Sequence, residues 1–152
     1  TSDITPLRED AFEKSDEDVK DGMDIALCSL EGNNLQYAGA HNPLWIVRNK
    51  SILETKANKQ PIGKFLNPSP FTTHKIKLEK GDVIYIFSDG YADQFGGDKG
   101  KKFKTKSLKD LLIKIHKKPM EQQKIELDNI FEKWRNDLQQ LDDVCIIGVK
   151  YN

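Results

Sequence analysis

Gly81-Asp82-Val83-Ile84-Tyr85-Ile86-Phe87-Ser88-Asp89-Gly90 is an apolar run that stops on an Asp-Gly pair. Asp142-Asp143-Val144-Cys145-Ile146-Ile147 has the opposite order, carboxylates first and apolar residues after. Antiparallel pairing sets the last residue of one strand beside the first residue of its neighbour. The two stretches therefore predict that Asp89 and Asp142 meet at one rim of a sheet. Val83 to Phe87 is apolar without alternation, the pattern of a strand buried on both faces. A rim of oxygen-only ligands on such a strand suits a hard divalent cation such as Mg²⁺ or Mn²⁺.

Strands also precede this segment. Ile25-Ala26-Leu27-Cys28 and Leu35-Gln36-Tyr37-Ala38 flank the turn Glu31-Gly32-Asn33-Asn34 and read as a hairpin. A tight corner at His41-Asn42-Pro43 leads into Leu44 to Val47, and Arg48-Asn49-Lys50 turns the chain back through Ser51 to Glu54. Residues 57 to 70, with three prolines and Gly63, read as irregular, and His74 to Leu78 as a half-exposed strand. Downstream, Ser107 and Asp110 form the pattern of a capping box, followed by an apolar face of Leu108, Leu111, Leu112 and Ile115. A second helix is predicted from Pro119 through Leu127, Ile130, Phe131, Trp134 and Leu138.

With 152 residues, 37% of them hydrophobic and 32% charged, the chain is one globular domain's worth. Lysine plus arginine equals aspartate plus glutamate at 24 each. No net field draws nucleic acid or an anionic membrane. No apolar run approaches the roughly 20 residues of a membrane helix, and no signal peptide is legible, which predicts a cytoplasmic protein. Cys28 and Cys145 lie in apolar stretches and read as buried free thiols. Residues 1 to 20, with seven acidic and three basic side chains, read as an acidic helix or tail ahead of a domain over 21 to 152.

The segments 81–93 and 142–144, with Tyr37-Ala38-Gly39-Ala40-His41-Asn42-Pro43 and Gln60-Pro61-Ile62-Gly63, resemble the metal-dependent protein phosphatases of type 2C, in their bacterial sporulation-phosphatase branch. The resemblance implies an α/β fold, an antiparallel β-sandwich flanked by α-helices. It places metal ligands on Asp89 and Asp142, with Gly90, Asp93, Asp143 and Asp24 as further ligands or their supports. Asp24 either faces the site or caps its strand. His41 and Asn42 read as a structural corner, Gly96-Gly97 as a mobile loop, and the lysines from Lys99 to Lys106 as a solvated loop, with docking of a phosphorylated acidic partner as the alternative. The implied reaction is hydrolysis of phosphoserine or phosphothreonine by water activated between two Mn²⁺ or Mg²⁺ ions. A phosphorylated regulatory protein, such as an anti-sigma-factor antagonist, is the implied partner.

The sequence departs from the family pattern at one point. The Gly-Asp-x-x-Gly-His-Gly segment, whose aspartate bridges the metals, is absent, and residues 1 to 20 contain no glycine with which to build it. The chain is therefore read as the C-terminal part of such a domain, weakly metal-binding and inactive by itself, with open sheet edges that favour a homodimer. A non-catalytic phosphatase scaffold that binds a signalling partner is the alternative.

Overall fold

The computed structural model describes residues 21–152. A two-residue strand β1 (Gly22–Met23) is followed by β2 (Ile25–Glu31), β3 (Asn34–Ala40), β4 (Leu44–Arg48), β5 (Ser51–Thr55), β6 (Ile62–Gly63), β7 (His74–Lys77) and β8 (Val83–Phe87). Then come a single turn α1 (Gly90–Asp93), the short strands β9 (Phe95–Gly96) and β10 (Lys101–Lys102), helices α2 (Thr105–Ile115) and α3 (Met120–Arg135), and β11 (Ile146–Lys150). The expectation for residues 1 to 20 lies outside the described residues.

Two antiparallel sheets form the middle of the molecule, one in the order β11-β8-β4-β5 and the other β2-β3-β7. Alternation along the central strands divides their side chains between two cores. Leu44, Ile46 and Ile84 join Leu35, Tyr37 and Leu78 between the sheets. Trp45, Val47, Val83 and Tyr85 point the other way, against Leu108, Leu112 and Ile115 of α2 and Leu127 and Phe131 of α3. The unbroken apolarity of Val83 to Phe87 thus has its cause in burial on both faces. Each fully buried side chain of this size contributes about 1.5–3 kcal/mol, so the doubly covered strands dominate stability. Most polar groups buried between the elements are paired, Gln94 Oε1 excepted. The Tyr85 hydroxyl donates to Gln123 Oε1 at 2.5 Å, and Tyr91 donates to the Leu127 carbonyl at 2.8 Å.

Local signals give way to tertiary contacts at several element ends. α2 starts at Thr105, without a side-chain cap. Its entry is fixed by the amides of Phe103 and Lys104, which donate to Gln94 and Ala92 at 2.9 and 2.8 Å, so Ser107 falls inside the first turn and the capping box does not form. α3 ends at Arg135, where Asn136 turns to a positive φ of 48°, and Leu138 lies beyond it, exposed. β11 begins at Ile146, two residues after Val144, because the Cys145 amide donates to the Ser88 hydroxyl (3.0 Å) and not to the ladder. Cys145 on this edge is exposed and Cys28 half-buried, which corrects the expectation of two buried thiols. Gly96 and Gly97 serve close packing. A Cβ on Gly96 would stand 2.0 Å from the Trp134 carbonyl oxygen, and the Gly97 amide donates to that same oxygen at 2.9 Å.

Candidate metal centre

β8 and β11 are antiparallel neighbours in the register Phe87 opposite Ile146. Continuing that register sets Ser88 against Cys145, and the two exchange bonds: the Ser88 amide donates to the Cys145 carbonyl (3.0 Å) and the Cys145 amide to the Ser88 hydroxyl (3.0 Å), which itself donates to the Asp143 carbonyl (2.8 Å). The chain then tightens further. A Cβ on Gly90 would lie 2.3 Å from the Asp143 carbonyl oxygen, so only glycine allows α1 to start this close to the segment carrying Asp142.

The consequence is a cluster of acids. Partial burial pushes the Asp89 carboxyl above the ordinary aspartate value, and the charges of Asp142 and Asp93 raise it further. Asp142 thus lies close enough for its charge to act on Asp89. Asp142 is itself shaped by its loop: its Oδ1 accepts from the Asp143 amide at 2.7 Å, and its carbonyl accepts from Gln140 Nε2 at 2.9 Å. Asp143 contributes its backbone to the Ser88 contact, and its side chain is exposed. Asp93, four residues after Asp89, meets Lys102 at 3.2 Å.

Of the other residues singled out in the sequence, Asp24 and His41 bond to each other, Oδ1 to Nδ1 at 2.7 Å. They stand at the same end of the sandwich, because the corner 41–43 joins β3 to β4 there and Trp45 is opposite Tyr85. The corner is held by the Tyr37 hydroxyl, which donates to the Asn42 carbonyl at 2.5 Å, and His41 has a φ of 58°. Three contributors were not legible beforehand: Ser88 as the staple between strands, Lys102 as the partner of Asp93, and Gln94, which donates to the Gln139 carbonyl at 3.0 Å and ties α1 to the Asp142 loop. Only Ser88 carried a signal, a hydroxyl directly ahead of Asp-Gly.

Asp89 and Asp142, two carboxylates with no ion-pair partner among the described residues, suit a hard divalent ion as donors, while Asp93 is engaged by Lys102. They are an incomplete set, since no group of three or more His, Cys, Asp or Glu side chains arranged to hold a metal ion occurs among the described residues. The repulsion has a measurable sign. With Asp89 raised above the unfolded value of about 3.9, the folded chain binds more protons than the unfolded one between that value and the raised pKa, so stability falls as pH rises through this window. Urea melts of the metal-free chain from about pH 4 to about pH 7 read the slope. Asp89→Asn flattens it, and an unchanged slope would show that Asp89 is not under pressure from its neighbours.

Two stacked antiparallel sheets with helices on the outer face, and paired carboxylates where β8 ends and β11 begins, define a type 2C phosphatase fold. The SiaA-PP2C domain of Pseudomonas aeruginosa superimposes with a TM-score of 0.74 at 23% identity, over 80% of this chain and 48% of that one. The phosphatase domain of the cell fate determinant SpoIIE from Bacillus subtilis gives 0.57 at 13%, over 95% and 64%. The RsbU and RsbW domains of Rv1364c from Mycobacterium tuberculosis give 0.64 at 19%, over 91% and 38%. The chain thus spans less than two thirds of each of these structures. No curated protein matches it. The chain belongs to the stage II sporulation protein E (SpoIIE) family, whose match covers residues 10–152.

Proposed function

We propose that this chain is the C-terminal part of a metal-dependent serine/threonine protein phosphatase of bacterial signalling. The observation that carries the reading is the meeting of Asp89 and Asp142 at the rim shared by β8 and β11. Asp89 and Asp142, together with carboxylates supplied from upstream, would hold Mn²⁺ or Mg²⁺, which would acidify a water for attack on phosphorus and screen the phosphoryl oxygens. The protein's own residues set the geometry. Ser88 locks the two strand ends together, Gly90 lets α1 approach, and Gln94 and Gln140 fix the Asp142 loop. Asp93, Asp143 and Asp24 are proposed as outer supports, with Lys102 balancing the charge of Asp93.

The proposed substrate is phosphoserine or phosphothreonine on a small regulatory protein, such as an anti-sigma-factor antagonist. Supporting it, the similar structures include RsbU and SiaA domains. Among the described residues no helix is long and apolar enough to cross a membrane, in keeping with a cytoplasmic site of action. Among the described residues β2 and β11 each keep one edge unpaired, with Leu27 and Ile147 exposed, which supports pairing with a second copy.

The test is an assay of p-nitrophenyl phosphate and a phosphoserine peptide with Mn²⁺. Residues 1–152 alone give little or no turnover, and the longer protein carrying an upstream Gly-Asp-x-x-Gly-His-Gly segment gives turnover that a chelator abolishes. Chelator-sensitive turnover by 1–152 alone overturns the incomplete-site reading. A longer protein without that segment, inert but binding its phosphorylated partner, replaces the enzyme with a binding module.

A further inference from the structure

The opposite end of the sandwich has the reverse charge. There the β4–β5 hairpin, the turn between β7 and β8, the end of α2 and the last residue of β11 surround a concavity of about 440 Å³. Its frame is Arg48, whose Nε and Nη2 hold the two oxygens of buried Asp82 at 2.9 and 2.6 Å, and whose Nη1 reaches Glu79 at 3.1 Å. That guanidinium is fully engaged by acids. Lys50, Lys80, Lys117 and Lys150 line the same concavity, and none of the four has an ion-pair partner among the described residues. In a chain of zero formal charge, four lysines from four separate elements line one recess whose two acids, Glu79 and Asp82, are engaged by Arg48. Like charges gathered in this way repel, and the arrangement is relieved by a multivalent anion.

We propose that this concavity binds an oligophosphate, a di- or triphosphate chain that is free or forms the end of a nucleotide. The volume suits a small molecule. Lysine ammonium groups act as point charges that neutralise phosphate without demanding a planar partner. No Phe, Tyr or Trp lines the recess, and its one imidazole, His116, is buried and bonded to the Ile113 carbonyl, so recognition falls on the phosphates. The site is preset: Asn49 and Lys50, with φ of 48° and 63°, form the tight two-residue link of the hairpin, and the Arg48–Asp82 pair fastens that hairpin to the neighbouring turn. The five residues of β8 separate it from Asp89, about 17 Å of strand, beyond the screening length at physiological salt. It is a second site, independent of the hydrolytic reading.

Isothermal titration of the 152-residue chain with tripolyphosphate, pyrophosphate and ATP, at low salt and without divalent ions, tests the proposal. Saturable binding is expected, with similar affinity for tripolyphosphate and ATP. Lys50→Gln with Lys117→Gln weakens it on the order of ten-fold, since each removes one charge at contact distance, whereas Lys102→Gln at the carboxylate rim leaves it unchanged. Circular dichroism verifies that the variants, altered only at exposed side chains, remain folded. Absence of saturable binding, binding of ATP alone, or equal loss in Lys102→Gln would overturn it.

Discussion

On the proposed reading, Asp89→Asn or Asp142→Asn, introduced into a longer form of the chain that carries a Gly-Asp-x-x-Gly-His-Gly segment, lowers Mn²⁺-dependent phosphate release by at least about 100-fold. Even partners one step removed from a metal typically cost 10–100-fold, and these carboxylates are proposed as direct ligands. Asparagine keeps the side-chain volume and removes the anionic oxygen, so the loss falls on ion binding and leaves packing intact. The fold survives for a specific reason. Asp89 is held above its ordinary pKa by partial burial and by the charges of Asp142 and Asp93, and neutralising it relieves repulsion. The metal-free variant therefore melts at or above the wild-type temperature at neutral pH while its Mn²⁺ affinity collapses. A variant that turns over at near wild-type rates would reduce Asp89-Gly90 to a turn former.

Arg48→Met destabilises the chain by about 3–5 kcal/mol, because it leaves an uncompensated charge in the protein. Asp82 is 1% exposed and receives both arms of the Arg48 fork, together with the Glu79 amide at 2.8 Å. Burial by itself would push the Asp82 carboxyl up; the Arg48 hydrogen bonds and the Glu79 amide outweigh it and hold the group below the ordinary aspartate value. Its sign is opposite to that of Asp89. A depressed folded pKa contributes stability that is present above about pH 3.9 and lost as pH falls through the folded value. For a domain whose total stability is typically about 5–15 kcal/mol, the single substitution brings the chain close to unfolding. Arg48→Met with Asp82→Leu costs less than Arg48→Met alone, since no charge is then stranded. Urea melts of the four proteins measure this, and an additive double variant would show that the pair is not coupled.

Much of this architecture was legible one residue at a time. The hairpin around Gly32-Asn33, the meander through Arg48 and Lys50, and the strand of Val83 to Phe87 follow from turn residues and apolar runs, which act over a few positions and leave a local trace. The carboxylate rim was legible for the same reason: Asp89 ends one apolar run, Asp142 opens another, and pairing in a sheet converts those two positions into proximity. The helix ends were less so. Ser107 and Asp110 form a capping pattern that the backbone bonds of Phe103 and Lys104 override, and Cys145 sits in an apolar stretch that becomes an exposed edge.

The sequence by itself determined the β2–β3 and β4–β5 hairpins, the two-faced burial of the central strand and the candidate ligands Asp89 and Asp142, because each depends on spacing along the chain. Only the tertiary structure decided that Ser88 staples β8 to the segment ahead of β11, that Lys102 faces Asp93, that Gly96 accommodates Trp134, and that four lysines from four elements share one recess. Those contacts join residues from separate elements, and short-range periodicity carries no information about which side chain on one element will stand opposite another. They are fixed only when the buried faces of the sheets and helices lock into a single packing.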